Sequence, residues 1–168
     1  MIPDAALTPA SQARSDRLWI WTGLGVQLVG YVVDAAWHGL VSPGAEPTTT
    51  RDVMRHLMTV HAPLYIGAVF VLFAILRALA HRMNRSSLPA TPYALAAGPL
   101  VAALAGAALS VGAEAWHAYS HLHLDTHSAP VAGVLSLVGY LVALGATIVV
   151  GARARRRESD SFTRRRAA

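Results

Sequence analysis

Two short elements of this sequence pair a carboxylate with an imidazole, Asp34-Ala35-Ala36-Trp37-His38 and Glu114-Ala115-Trp116-His117. Each lies near the end of a long apolar run that carries almost no other charge. An ionisable group in such a run is expensive to keep, so an acid beside a histidine there marks a functional site by default. At helical spacing Asp34 and His38 stand at i,i+4 and share a face, while Glu114, His117 and His121 stand at i, i+3, i+7 and share another. With a rise of ~1.5 Å per residue, Asp34 lies ~6 Å deeper than His38, and Glu114 ~10 Å deeper than His121. His61 matches the acids in depth; His56, five residues earlier, does not share its face squarely.

Imidazole and carboxylate together suit Zn, Cu, Fe or Ni, and a carboxylate behind an imidazole fixes the orientation of the ring. The candidate metal-site residues are therefore Asp34, His38, His61, Glu114, His117 and His121, with copper or zinc favoured and iron as a further option. Met54, Met58 and His61 fall at i, i+4, i+7, and a thioether beside imidazole would favour copper, although core filling explains the methionines equally well. A standard di-iron carboxylate site needs paired Glu-x-x-His motifs and two further Glu, whereas this chain has one Glu-x-x-His and an Asp-x-x-x-His. The structural alternative for Asp34 and His38 is an ion pair that stabilises a bundle. For His56, His123 and His127 it is an ordinary interfacial position.

The elements that must carry these residues follow from composition. Of 168 residues, 54% are hydrophobic and only 14% charged, which is the balance of a polytopic membrane protein. Apolar segments run from about Leu18 to Leu40, Leu57 to Ala80, Pro92 to Ala118 and Ala129 to Ala152. Each has the ~20 residues that a helix needs to cross ~30 Å of hydrocarbon. Lipid offers no partner to exposed backbone, so the expectation is an all-α, integral membrane four-helix bundle. It divides into an N-terminal flank (1–17), the bundle (18–152) and a basic tail (153–168). The first span is too long for a signal peptide, and 17 mostly polar residues precede it. Thr49-x-x-Asp52 reads as a capping box ahead of the second helix, and Pro63 as a local kink within it. In the third span Gly98, Ala102 and Gly106 form a small-residue ladder against which another helix can close, or simply belong to an Ala-rich helix that packs tightly throughout.

All 14 basic residues are Arg, and seven of them lie between Arg153 and Arg166. Basic residues next to a hydrophobic span act as a topology signal or touch anionic lipid, and nucleic acid is not an expected partner. The N-terminal flank has Arg14 and Arg17, and the 81–87 connection has Arg82 and Arg85 beside Arg77. Arg51 and Arg55 in the first connection are partly balanced by Glu46 and Asp52, and the connection near 122–128 has no Arg. The positive-inside rule then places both termini in the cytoplasm. Seven of the eight histidines gather at extracytoplasmic helix ends, leaving His81 inside. Beyond about Glu158 the tail reads as disordered. The chain has no cysteine, which excludes disulfides, thiolate metal sites and haem attached through Cys-x-x-Cys-His. Phosphate loops, dinucleotide fingerprints, Gly-x-Ser-x-Gly and His-Glu-x-x-His are also missing.

Asp34-x-x-x-His38 resembles part of the Asp-x3-His-x12-His copper motif in a subunit of membrane-bound methane and ammonia monooxygenases. Asp34 and His38 match its first two ligands; Arg51 stands where the third requires His, and His56 and His61 follow. More broadly the chain resembles bacterial four-span membrane proteins with Asp-x-x-Trp-His followed by a His early in the next helix. That resemblance implies a metal site in the bacterial cytoplasmic membrane and supplies no reaction.

Three functions compete. The leading one is a metal-binding membrane protein, extending to a metal-dependent oxidoreductase whose apolar small-molecule substrate arrives from the bilayer. The second is a b-type cytochrome, with haem b held by His61 and His117 or His121. The third is a proton or metal-ion carrier, or an accessory subunit, for which Gln27, Ser136 and Thr147 are the few polar groups that continue inward. Association with itself or with a partner membrane subunit is compatible with each. Because the first and third spans run the same way, the chain reads as two helical hairpins about a pseudo-twofold axis. The unequal acid–His spacings make the site asymmetric.

Overall fold

The computed structural model describes residues 8–41, 49–84, 97–123, 125 and 128–167. Five α-helices follow one another: α1 (Pro9–Ala36), α2 (Thr50–Thr59), α3 (Ala62–Met83), α4 (Ala97–Leu122) and α5 (Ser128–Ala167). A π-helical turn, Trp37–Val41, extends α1. Four of the helical segments, Ala10–Val41, Ala62–Met83, Ala97–Leu122 and Ser128–Arg156, are long and apolar enough to cross a membrane. The chain is an all-α bundle of the membrane type, and its outward faces carry large apolar side chains such as Val32, Val69, Phe73, Val134, Leu141 and Ile148.

Two hairpins make the bundle: α1 packs chiefly on α3, α4 on α5, and α3 joins the pairs through α4. Glycines allow the close approaches. The backbone of Gly30 meets that of Leu64, and Gly67 meets Gln27. Between α4 and α5, a methyl group on Gly106 would come within 2.6 Å of the Gly139 carbonyl. Only part of the expected small-residue ladder lies in this contact. Gly98 faces open space and Ala102 is exposed, and the buried stripe is instead Ala103, Gly106, Ala107 and Ser110.

The second apolar segment is not one helix from Leu57 to Ala80. α2 ends at Thr59, and α3 begins at Ala62 with His61 as its N-cap. The cause is Pro63, which has no N–H to donate and clashes with a preceding helical turn, so it sits in the first turn of a new helix. The expected kink is therefore a full break. Half of the expected capping box forms: Thr49 Oγ1 accepts from the Asp52 N–H at 3.2 Å, while the Asp52 carboxylate accepts from the Thr49 hydroxyl at 2.6 Å. α2 is amphipathic, burying Val53, His56 and Leu57. The tail also differs from its expectation, since α5 continues as helix through Ala167. Arg and Glu are good helix formers, and a helix already nucleated by packing is cheap to extend.

Along its axis the bundle is layered. One end holds Asp16, Arg77 and His81. An apolar core of Ile20, Leu24, Val71, Ile75, Leu100 and Tyr140 comes next. A buried polar layer follows, in which Gln27 Nε2 donates to Ser110 Oγ at 2.7 Å. Within it, hydroxyl–hydroxyl hydrogen bonds join Tyr31 to Ser136 (2.6 Å) and Ser110 to Ser136 (3.1 Å). The acids and histidines close the other end.

Candidate metal centre

Five histidines converge at that end, with neighbouring ring centroids 4.7–6.0 Å apart: His38 from the π turn, His56 from α2, His61 at the start of α3, and His117 and His121 from α4. They form two overlapping groups, His38/His56/His61 and His61/His117/His121. In each group the ring nitrogens lie within 4.8 Å of one another, close enough to share a metal ion. Nε2 of His61 is 3.0 Å from Nε2 of His56, and Nε2 of His121 is 3.0 Å from Nε2 of His117. All but His38 are buried, and His61 is wholly so.

The acids stand behind the rings. Asp34 Oδ1 is 3.3 Å from His61 Nδ1 and 3.5 Å from His38 Nε2. Glu114 Oε2 is 3.7 Å from His117 Nδ1. At His61 and His117, Nδ1 thus faces a carboxylate while Nε2 faces another histidine. A carboxylate on one ring nitrogen selects the tautomer that leaves the other nitrogen's lone pair free for a metal. The fit is incomplete in a telling way. Asp34 Oδ1, both oxygens of Glu114, Nδ1 of His61 and of His117, and the Tyr65 hydroxyl are buried without a hydrogen-bond partner among the described residues. Unpartnered buried polar groups are uncommon and costly, and here several surround one cluster.

The structure thus brings all six sequence candidates, Asp34, His38, His61, Glu114, His117 and His121, to one place. It adds His56, whose part sequence reasoning left open between an ordinary interfacial residue and a further ligand. On a continuous helix His56 and His61 would not share a face. The break before Pro63 restarts the helical phase, and a proline two residues after a histidine was the available signal. Met54 and Met58 are 46% and 71% exposed, so they neither accompany His61 nor fill the core. Arg51 is exposed on α2. His123 stacks on Tyr119, with its Nδ1 2.9 Å from the Tyr119 carbonyl, and takes no part; His127 lies outside the described residues.

Sequence reasoning passed over Tyr65, whose ring stacks on His61 at 5.8 Å between centroids. Tyr65 also lines an apolar groove of about 490 Å³ along α3, with Ile66, Val69, Phe70 and Phe73. The chain matches no protein-family model, no curated protein and no solved structure.

Proposed function

We propose that this protein is an integral membrane metal-binding protein whose centre is built from His38, His56, His61, His117 and His121, with Asp34 and Glu114 orienting two of the rings. One observation carries the proposal: two groups of three imidazoles with ring nitrogens inside 4.8 Å, backed by carboxylates on the far nitrogens. A donor set of imidazoles suits zinc and copper, and iron less specifically. With Met54 and Met58 turned outward, no thioether tilts the choice toward copper. The resemblance of Asp34-x-x-x-His38 to a monooxygenase copper motif keeps copper beside zinc.

The same packing argues against haem b. Axial histidines must stand on opposite faces of a porphyrin, whereas the His61 ring is in edge contact with His117 at 5.0 Å and tilted against His121 at 5.3 Å. A transmembrane proton or ion route has no support among the described residues. The apolar core of Leu24, Val71, Ile75 and Leu100 separates the hydroxyl layer from Asp16 and His81. Thr147, one of its expected steps, donates to the Ala143 carbonyl within its own helix.

A second observation favours extending the reading to a metal-dependent oxidoreductase with an apolar substrate. The groove along α3 opens laterally and ends at Tyr65, beside His61. Elemental analysis of the purified full-length protein, after reconstitution with Zn(II), Cu(II) or Fe(II), tests the metal reading. Stoichiometric binding of one of these metals, lost in His61→Ala and weakened in His117→Leu, is expected. Absence of stoichiometric metal under all three conditions removes the proposal.

A further inference from the structure

The two histidine groups are not equivalent. His38, in the outer group, is 35% exposed and sits on the π turn, whereas His61, His117 and His121 are all buried. His61 belongs to both groups. Its Nδ1 faces Asp34 Oδ1 at 3.3 Å, which leaves Nε2 as its single metal-donating nitrogen. One lone pair binds one cation, so an ion in the outer group and an ion in the inner group compete for the same atom. Two dications this close in a low-dielectric interior would also repel strongly. The surplus of imidazoles over the three or four that one ion needs is therefore not a reason to expect two ions.

We propose, resting on the metal-binding reading, that the centre offers one ion two alternative positions. The ion is taken up in the outer position, at His38, His56 and His61, and held in the inner position, at His61, His117 and His121. His61 stays bound throughout, so the transfer exchanges the other two imidazoles without releasing the ion to water. The location of His38 suits such a part. The π turn at the end of α1 puts this partly exposed imidazole at the rim of a buried set. Each position has a carboxylate behind it, Asp34 at 3.5 Å from His38 Nε2 and Glu114 at 3.7 Å from His117 Nδ1, and the inner one differs in that all three of its imidazoles are buried.

The test separates equilibrium from rate, using Zn(II) as the ion and a chromophoric chelator as competitor, on the full chain in detergent. Wild type is expected to bind one Zn(II). His38→Ala is expected to bind one Zn(II) with near-wild-type affinity, but with uptake and release both slowed severalfold and in the same proportion. His117→Leu is expected to keep a weak, rapidly exchanging ion at the outer position. Its Co(II) form should then differ in visible spectrum from that of wild type. His38 is half-exposed, so its loss does not endanger folding, and His38→Gln with a helicity measurement controls for this. Two Zn(II) per wild-type chain would overturn the proposal in favour of a dinuclear centre. A His38→Ala protein that loses affinity through faster release would make His38 a holding ligand, and one with unchanged rates would remove it from the route. If wild type binds no Zn(II), Cu(II) or Fe(II) at all, the metal reading itself fails, and the two-position proposal with it.

Discussion

The two ends of the bundle each bury an acid beside histidine, yet they are built on opposite principles. At one end Asp16 is closed off. Its Oδ1 accepts from Arg77 Nε at 3.0 Å and from a terminal guanidinium nitrogen at 2.9 Å, and both oxygens lie 3.1 Å from His81 Nδ1. Arg77 is held further by Ser15 Oγ at 2.8 Å and lies over the Trp19 ring, which stacks on Phe70. At the other end Asp34 and Glu114 face imidazoles at longer range and keep buried oxygens without hydrogen-bond partners among the described residues. Among the described residues, only the first set of buried oxygens is satisfied by hydrogen bonds. A self-satisfied network ties α1 to α3. The unsatisfied one surrounds the centre proposed above to hold a metal.

This contrast can be broken at several points. The largest expected effect is His61→Ala, which removes the imidazole common to both histidine groups and should abolish stoichiometric metal binding while the bundle stays folded. Metal content together with far-ultraviolet circular dichroism reads both outcomes, and retained metal would break the assignment. Asp16→Ala should behave in the reverse manner. Leaving Arg77 without its carboxylate costs up to about 3 kcal/mol, the low end of the range for buried pairs because Arg77 is 27% exposed. Metal content should be unchanged. Detergent-unfolding curves measure the first effect, and a fall in metal with intact fold would show that the two ends are coupled.

Glu114→Gln and Asp34→Asn should weaken metal binding by roughly 10- to 100-fold through loss of ring orientation and basicity. Unlike Asp16→Ala, Glu114→Gln should leave the metal-free bundle as stable as before or more so, since it removes a buried carboxylate with no hydrogen-bond partner. Chelator competition beside unfolding curves separates these quantities. The ends should also differ with pH. Metal binding requires neutral imidazole, so affinity must fall as acid protonates the ligands. A titration between neutral pH and mild acid, followed by metal release, checks this sign; binding that strengthens toward acid would exclude imidazole ligation. The smallest effect is expected at Tyr65→Phe. Removing a buried hydroxyl without a partner should be neutral or stabilise by about 1 kcal/mol, with metal content unchanged. A marked loss of metal would bring Tyr65 into the centre.

Much of this architecture is legible in the residues themselves. Apolar runs too long for soluble helices specify four spans, and helical spacing puts Asp34 with His38 and Glu114 with His117 and His121, because local periodicity depends on nothing distant. The polar residues Gln27 and Ser136 were visible as isolated groups, but their meeting with Tyr31 and Ser110 was not, since it joins α1 to α4 and α5. Asp16 drew no attention beside so many Arg in the flanks, and its pairing with Arg77 and His81 spans 61 and 65 residues.

The sequence by itself therefore determined the membrane-type bundle and one cluster of acids and histidines at a common end. Tertiary structure decided which nitrogen of which histidine points inward, that His56 joins the cluster while Met54 and Met58 leave it, and that the acids stand behind the rings. The physical reason is a difference in range. Span length and helical phase are set by neighbours a few residues away. Ring orientation depends on the break before Pro63 and on glycine-mediated approaches of α1 to α3 and α4 to α5, contacts between residues tens of positions apart.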